Sequence, residues 1–170
     1  MFERRVFLAA FSSAARRLGH DAERGRIEML LSAATELAAD ELVSLVDECW
    51  RTGDNRERQA VLRALARLPE PQRFVPLAVS ACRTHVVPIF EAIACENPFP
   101  ARHFPEASFN QMVLKALFLE VAIDRIEGLG GRVGPELQRM AAGYASERGA
   151  AGRPISDDTT RLATWTRSAT

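Results

Sequence analysis

Lysine is almost missing from this chain: of its 22 basic residues only Lys115 is not arginine. We attribute that bias to coding composition rather than to mechanism. Acidic residues also number 22, so the formal net charge is zero. No whole-molecule field then draws the protein to nucleic acid or to an anionic membrane. Cysteine is scarce as well. Cys49, Cys82 and Cys95 lie in apolar helical patterns without CxxC spacing, which argues against a disulfide framework or a zinc knuckle and fits a reduced, cytoplasmic setting. A ligand set of Cys82, His85 and Cys95 is conceivable, but free cysteine usually packs as a small hydrophobe, so no metal and no cofactor are expected.

Long apolar runs are lacking too. No stretch approaches the ~20 residues of a membrane span. The N-terminal ERRVFLAAFSSAARRLGH imitates a twin-arginine signal through Arg4 and Arg5, yet its apolar run contains Ser12 and Ser13 and meets Arg16 at once. Phe7, Leu8, Phe11, Ala15 and Leu18 instead form one stripe at helical spacing, closed by Gly19 as a C-cap. No Ser-His-Asp set, H-E-x-x-H, Walker or G-x-G-x-x-G motif is present. The glycines of EGLGGR follow no strand, so they predict a turn between helices rather than a phosphate loop.

Period-2 alternation is nearly absent, while i, i+3, i+4 spacing recurs, which predicts an all-α fold. A second helix is expected over about 22–38 with Ile27, Leu30, Leu31 and Ala34 inward. Asp40 is expected to cap a third helix, and Asp54 with Glu57 makes the D-x-x-E start of a fourth. Further helices follow near Pro71 to Arg83 and His85 to Glu96, and a last strong one begins at Pro135. Short turns between helices of this length predict antiparallel hairpins, a HEAT/armadillo-like stack without a strict repeat. We expect one helical domain over 1–154 and a poorly ordered tail over 155–170, which Trp165 pins in part.

The stretch NPFPARHFPEASFNQ, Asn97 to Gln111, breaks the helical pattern with Pro98, Pro100 and Pro105. It predicts a stiff loop whose Phe99, Phe104 and Phe109 dock on the helices. Ser108 and Gln111 predict a capping box and a helix start at Phe109. That helix, FNQMVLKALFL, is apolar on nearly every side, which predicts a central position. Gln111 and Lys115 lie one turn apart on its polar strip, and a lysine there needs a partner or a pocket. Two readings stay open. Glu91 and Lys115 form a structural ion pair, or Glu91, Asn97, His103, Asn110 and Lys115 line a ligand pocket.

The segments EAIACENPFPARHFP, FNQMVLKALF, IEGL and YASERGAAGRP, in this order, resemble the EboA family of bacterial proteins over about 83–154. The resemblance implies a cytoplasmic protein encoded in an operon with a prenyltransferase-like membrane protein, a TatD-like hydrolase and sugar-metabolism homologues. That operon is associated with making or exporting secondary metabolites. It transfers no catalytic residue. The positions that fit the family pattern include Glu91, Asn97, Asn110, Gln111, Lys115, Arg148 and Arg153. Together with His103 these are the candidate ligand- or partner-binding residues. The leading expectation is a non-enzymatic adaptor or small-molecule carrier whose partners are the operon's other products and a small metabolite. One alternative is an enzyme with Glu91 or His103 as acid or base and Lys115 as electrostatic stabiliser. Another is a pure scaffold or homodimer.

Overall fold

A computed structural model describes residues 2–166, and every regular element among them is helical. The chain forms two compact units, one running to Ile93 and the other starting at Ala94. They subdivide the stretch expected as one helical domain.

The first unit is built on α1 (Arg4–Leu18), α2 (Ala22–Glu36), α3 (Ala39–Thr52) and α4 (Asn55–Ala64), followed by α5 (Val75–Ala81) and by α6 (Val87–Ala94), which carries the chain to the boundary. Helix α2 packs against α1, α3 and α4. Gly19, at φ 55°, ends α1 as expected, because a residue without Cβ adopts the left-handed region freely. A Cβ at Gly25 would sit 2.3 Å from Leu18 Cδ1, the tip of an exposed side chain that can turn aside. The inward face of α2 differs from expectation. Ala22, Arg26, Leu30 and Ala33 are buried, whereas Ile27, Leu31 and Ala34 are half-buried. The stripe rotates because Arg26, only 1% exposed, has partners inside: its Nε donates to Phe11 O at 3.0 Å and its Nη2 lies 3.4 Å from Glu57 Oε1.

Glu57 does two jobs. It forms the expected capping box with Asp54, whose Oδ1 accepts from Glu57 N at 2.8 Å while Glu57 Oε2 accepts from Asp54 N at 2.9 Å. The cap of α3 is corrected: the helix starts at Ala39, so Asp40 lies inside its first turn, and Glu41 Oε2 accepts from Ala38 N at 3.2 Å.

The second unit contains α7 (Phe99–His103), α8 (Glu106–Phe118), α9 (Leu129–Arg132), α10 (Pro135–Ala150) and α11 (Asp157–Ala163). Here two prolines open helices instead of breaking them. Pro100 sits in the first turn of α7, where its missing N–H costs no bond, so the expected loop contains a helix. Pro105 is the N-cap of α8, which therefore begins at Glu106, three residues before the expected Phe109, and Ser108 lies within it. The proline-set start at Pro135 is as expected.

Within the stretch expected as a poorly ordered tail, residues 157–163 form α11. Ser156 Oγ accepts from Thr159 N at 3.3 Å and caps α11, Asp157 and Asp158 sit in its first turn, and Leu162 and Thr159 are fully buried. Helix α11 packs on α10, which also meets α8. Trp165 does tie the end down, since its carbonyl accepts from Gln138 Nε2 at 2.8 Å; residues 167–170 lie outside the described residues.

Candidate functional site

The expected site residues fall in several places. Glu91 lies half-buried on α6, in the first unit, while the others belong to the second. Glu91 and Lys115, half-buried on α8, are each engaged in polar or electrostatic interactions. Asn97 is 3% exposed, and its Oδ1 accepts from Phe99 N at 3.0 Å, an Asx-type turn that starts α7. His103, at the other end of α7, packs its ring 4.9 Å from that of Phe99. The structure thus joins Asn97 and His103 through Phe99. On α8, Gln111 is exposed and Asn110 is 2% exposed. Asn110 Oδ1 has no hydrogen-bond partner among the described residues.

Arginines hold the turns of this unit. Arg132, on α9, donates from Nη1 to Ala101 O at 2.7 Å and from Nη2 to Phe104 O at 2.9 Å, and its guanidinium lies 4.5 Å from the Phe109 ring centroid. One planar fork satisfies both carbonyls near the end of α7 while resting on an aromatic face. Gly128, at φ 76°, precedes α9, and a Cβ there would meet Ala101 Cβ at 2.7 Å. Gly128 therefore serves a close-packed turn, whereas Gly130 and Gly131, expected in a turn, lie within α9.

A second arginine organises a pocket. Arg148 Nε donates to Pro154 O at 2.7 Å and Nη1 to Tyr144 Oη at 3.3 Å, and Arg153 N donates to Arg148 O at 2.9 Å. These bonds fold the strap 151–156 back beside α10. Arg148 and Arg153, both expected at a site, are thus brought together by the Arg148 carbonyl. Only Arg148 lines the resulting pocket of about 250 Å³, which it shares with Leu117, Glu120, Val121, Tyr144 and Ile155 among others.

The polar groups of that pocket differ in how far they are committed. Asp158 accepts from Ile123 N at 3.0 Å and from Arg161 Nη2 at 3.0 Å. Ser156 and Thr159 bond each other at 2.8 Å. By contrast Arg148 Nη2 and the Glu120 carboxylate make no hydrogen bond or ion pair to the described residues. Tyr144 Oη, having accepted from Arg148, keeps its own proton to donate.

Sequence reasoning named none of Tyr144, Glu120 and Ile155 as a site residue. The available signal was the chain's single tyrosine one turn before Arg148; Glu120, just past the end of α8 with φ 57°, gave none. Phe118, read as part of a central helix, is 67% exposed.

The family model described as metabolite traffic protein EboA matches residues 21–164. The chain belongs to the EboA family. That match takes in α11 and the whole Tyr144–Arg148 pocket. No curated protein and no solved structure matches the chain. Among the described residues no helix is long and apolar enough to cross a membrane. An EboA-family protein with this pocket is chemically equipped to bind a small molecule through a guanidinium, a phenol and a carboxylate above an aliphatic floor.

Proposed function

We propose that this EboA-family protein is a non-enzymatic accessory of metabolite traffic, which holds a small molecule in the Tyr144–Arg148 pocket and passes it between partner proteins. The observation that carries this reading is the state of Arg148. Two of its nitrogens are anchored to Pro154 O and Tyr144 Oη, which fixes the guanidinium of a pocket-lining residue, while Nη2 makes no bond to the described residues. A preorganised donor of this kind binds without a further ordering cost. The family description, metabolite traffic, agrees with binding and release.

On this reading the protein works in the cytoplasm beside the other products of its operon, a prenyltransferase-like membrane protein and a TatD-like hydrolase. The hairpins α1–α2 and α3–α4 supply a HEAT-like platform for such partners. The test is a thermal-shift and calorimetric screen of the full chain against small polar metabolites of several charge classes, repeated with Arg148→Met. Binding that weakens about tenfold or more in the variant supports the carrier role, since a charge-assisted hydrogen bond is worth that much. Silence across every class removes it.

A further inference from the structure

We propose that the Tyr144–Arg148 pocket takes a small zwitterion of the α-amino-acid class, its carboxylate on Arg148 and Tyr144 and its ammonium on Glu120. The proposal rests on the carrier reading above and names the ligand chemistry of that same site.

Of the lining residues, Arg148 keeps Nη2 and Tyr144 its hydroxyl proton as donors, near each other because Nη1 bonds Tyr144 Oη at 3.3 Å. One guanidinium N–H and one phenol O–H beside it can each donate to one oxygen of a carboxylate. The other uncommitted group is the Glu120 carboxylate, which accepts only. A monoanion would meet Arg148 but also face Glu120, and a monocation the reverse. One fixed positive and one uncommitted negative group together favour a molecule that carries both signs.

Glu70, Glu96 and Glu120 are the non-glycine residues with positive φ among those described, at 48°, 47° and 57°. A side chain in that region costs about 1 kcal/mol or more relative to glycine. In two of the three the carboxylate holds an arginine: Glu70 lies 3.7 Å from Arg73, and Glu96 grips Arg125 with bonds of 2.9 and 3.0 Å. Glu120 holds no arginine among the described residues and lines the pocket instead. A cation supplied by the ligand fills the place that arginine takes at the other two.

A pocket of about 250 Å³ falls below the roughly 300–1,000 Å³ of sites for drug-sized ligands. It suits one amino acid rather than a nucleotide or a prenyl diphosphate. Leu117, Val121 and Ile155 give its side chain an aliphatic surface.

The test is calorimetry on the full chain with L-leucine and L-phenylalanine, set against N-acetyl-L-leucine, which lacks the ammonium, and L-leucinamide, which lacks the carboxylate. The proposal expects one or both free amino acids to bind, and each blocked analogue of leucine to bind about tenfold or more weakly. Glu120→Gln, an exposed change that breaks no bond to the described residues, should erase the preference for leucine over N-acetyl-leucine while Tm stays put. Arg148→Met should erase the preference over leucinamide. Binding of N-acetyl-leucine as tight as that of leucine overturns the zwitterion assignment but leaves a carrier of monoanions. Binding that Glu120→Gln leaves wholly unchanged in preference also overturns it, and so does no binding of either amino acid. If no molecule of any charge class binds, the carrier reading falls with it.

Discussion

Both units tie a turn with an arginine fork on backbone carbonyls, Arg58 on Trp50 O and Arg51 O in the first and Arg132 on Ala101 O and Phe104 O in the second, but the first also buries an arginine–carboxylate pair. In α1, α2 and α4, helices of 15, 15 and 10 residues close most of their own backbone bonds, and Arg26 reaches Phe11 O and Glu57 in the interior. In the second unit α7, α9 and α11 have only 5, 4 and 7 residues. A short helix leaves most of its terminal carbonyls without partners. Arg132 takes those of Ala101 and Phe104, Arg148 that of Pro154, and Gln138 that of Trp165. Unpaired carbonyls at helix ends thus create a demand for fork-shaped donors, which arginine fills in both units. The same demand anchors one arginine beside a pocket.

The contrast can be broken first at the thiols. Burial, helped by the charges of Glu48 and Glu57, pushes Cys49 up from 9.0 to about 12. Its thiolate population at pH 8 is then about a thousandfold lower than that of an ordinary thiol. Cys49 should resist iodoacetamide until the first unit opens. Cys95, buried in the second unit, should be modified at lower denaturant, because side-chain ties at turns release before a packed helical core; mass spectrometry of the labelled peptides along a urea series decides, and simultaneous labelling would erase the distinction. The sign with pH follows. A folded pKa above the unfolded one means that this thiol lowers stability as pH climbs from about 9 toward 12, while below 9 it has no effect.

Next in size is Arg26→Ala, which leaves Glu57 buried without its cation and should cost about 3–5 kcal/mol in urea unfolding. A loss below about 1 kcal/mol would mean that the pair holds nothing together. Caps come third. Asp54→Ala in the first unit and Ser156→Ala in the second should each cost about 1 kcal/mol, the former more because Glu57 loses its reciprocal partner. The smallest effect sharpens the comparison most: Asn110→Leu replaces a buried amide whose Oδ1 has no partner among the described residues, so stability should change by less than about 1 kcal/mol or rise. A large loss there would give Asn110 a structural role equal to that of Arg26.

The all-helical fold was legible in the sequence because helical periodicity is a local property that runs through every segment. Caps with side-chain chemistry were legible too, as Asp54 with Glu57 and Pro135 demonstrate. What escaped were the features set by partners distant in sequence. Nothing local distinguishes Arg26 from an exposed arginine, since its burial depends on Glu57. Pro100 and Pro105 read as breakers because a proline opens a helix as readily as it ends one, and only the neighbouring turns decide. The S-D-D-T start of α11 was a signal overlooked for want of apolar periodicity. Of the candidate residues, Arg148 lines the pocket described here, but its neighbour Glu120 draws its interest from a backbone angle that no composition reveals.

The Arg26–Glu57 pair has a consequence for the protein's history. Either residue lost alone strands a charge in the interior, while both replaced by apolar side chains of similar volume leaves a sound core. Two codons 31 positions apart are therefore coupled, with a valley between two viable states. Lineages within the family should carry the pair whole or lack it whole, and a chain caught with only one member should bear a nearby substitution that shelters the orphan.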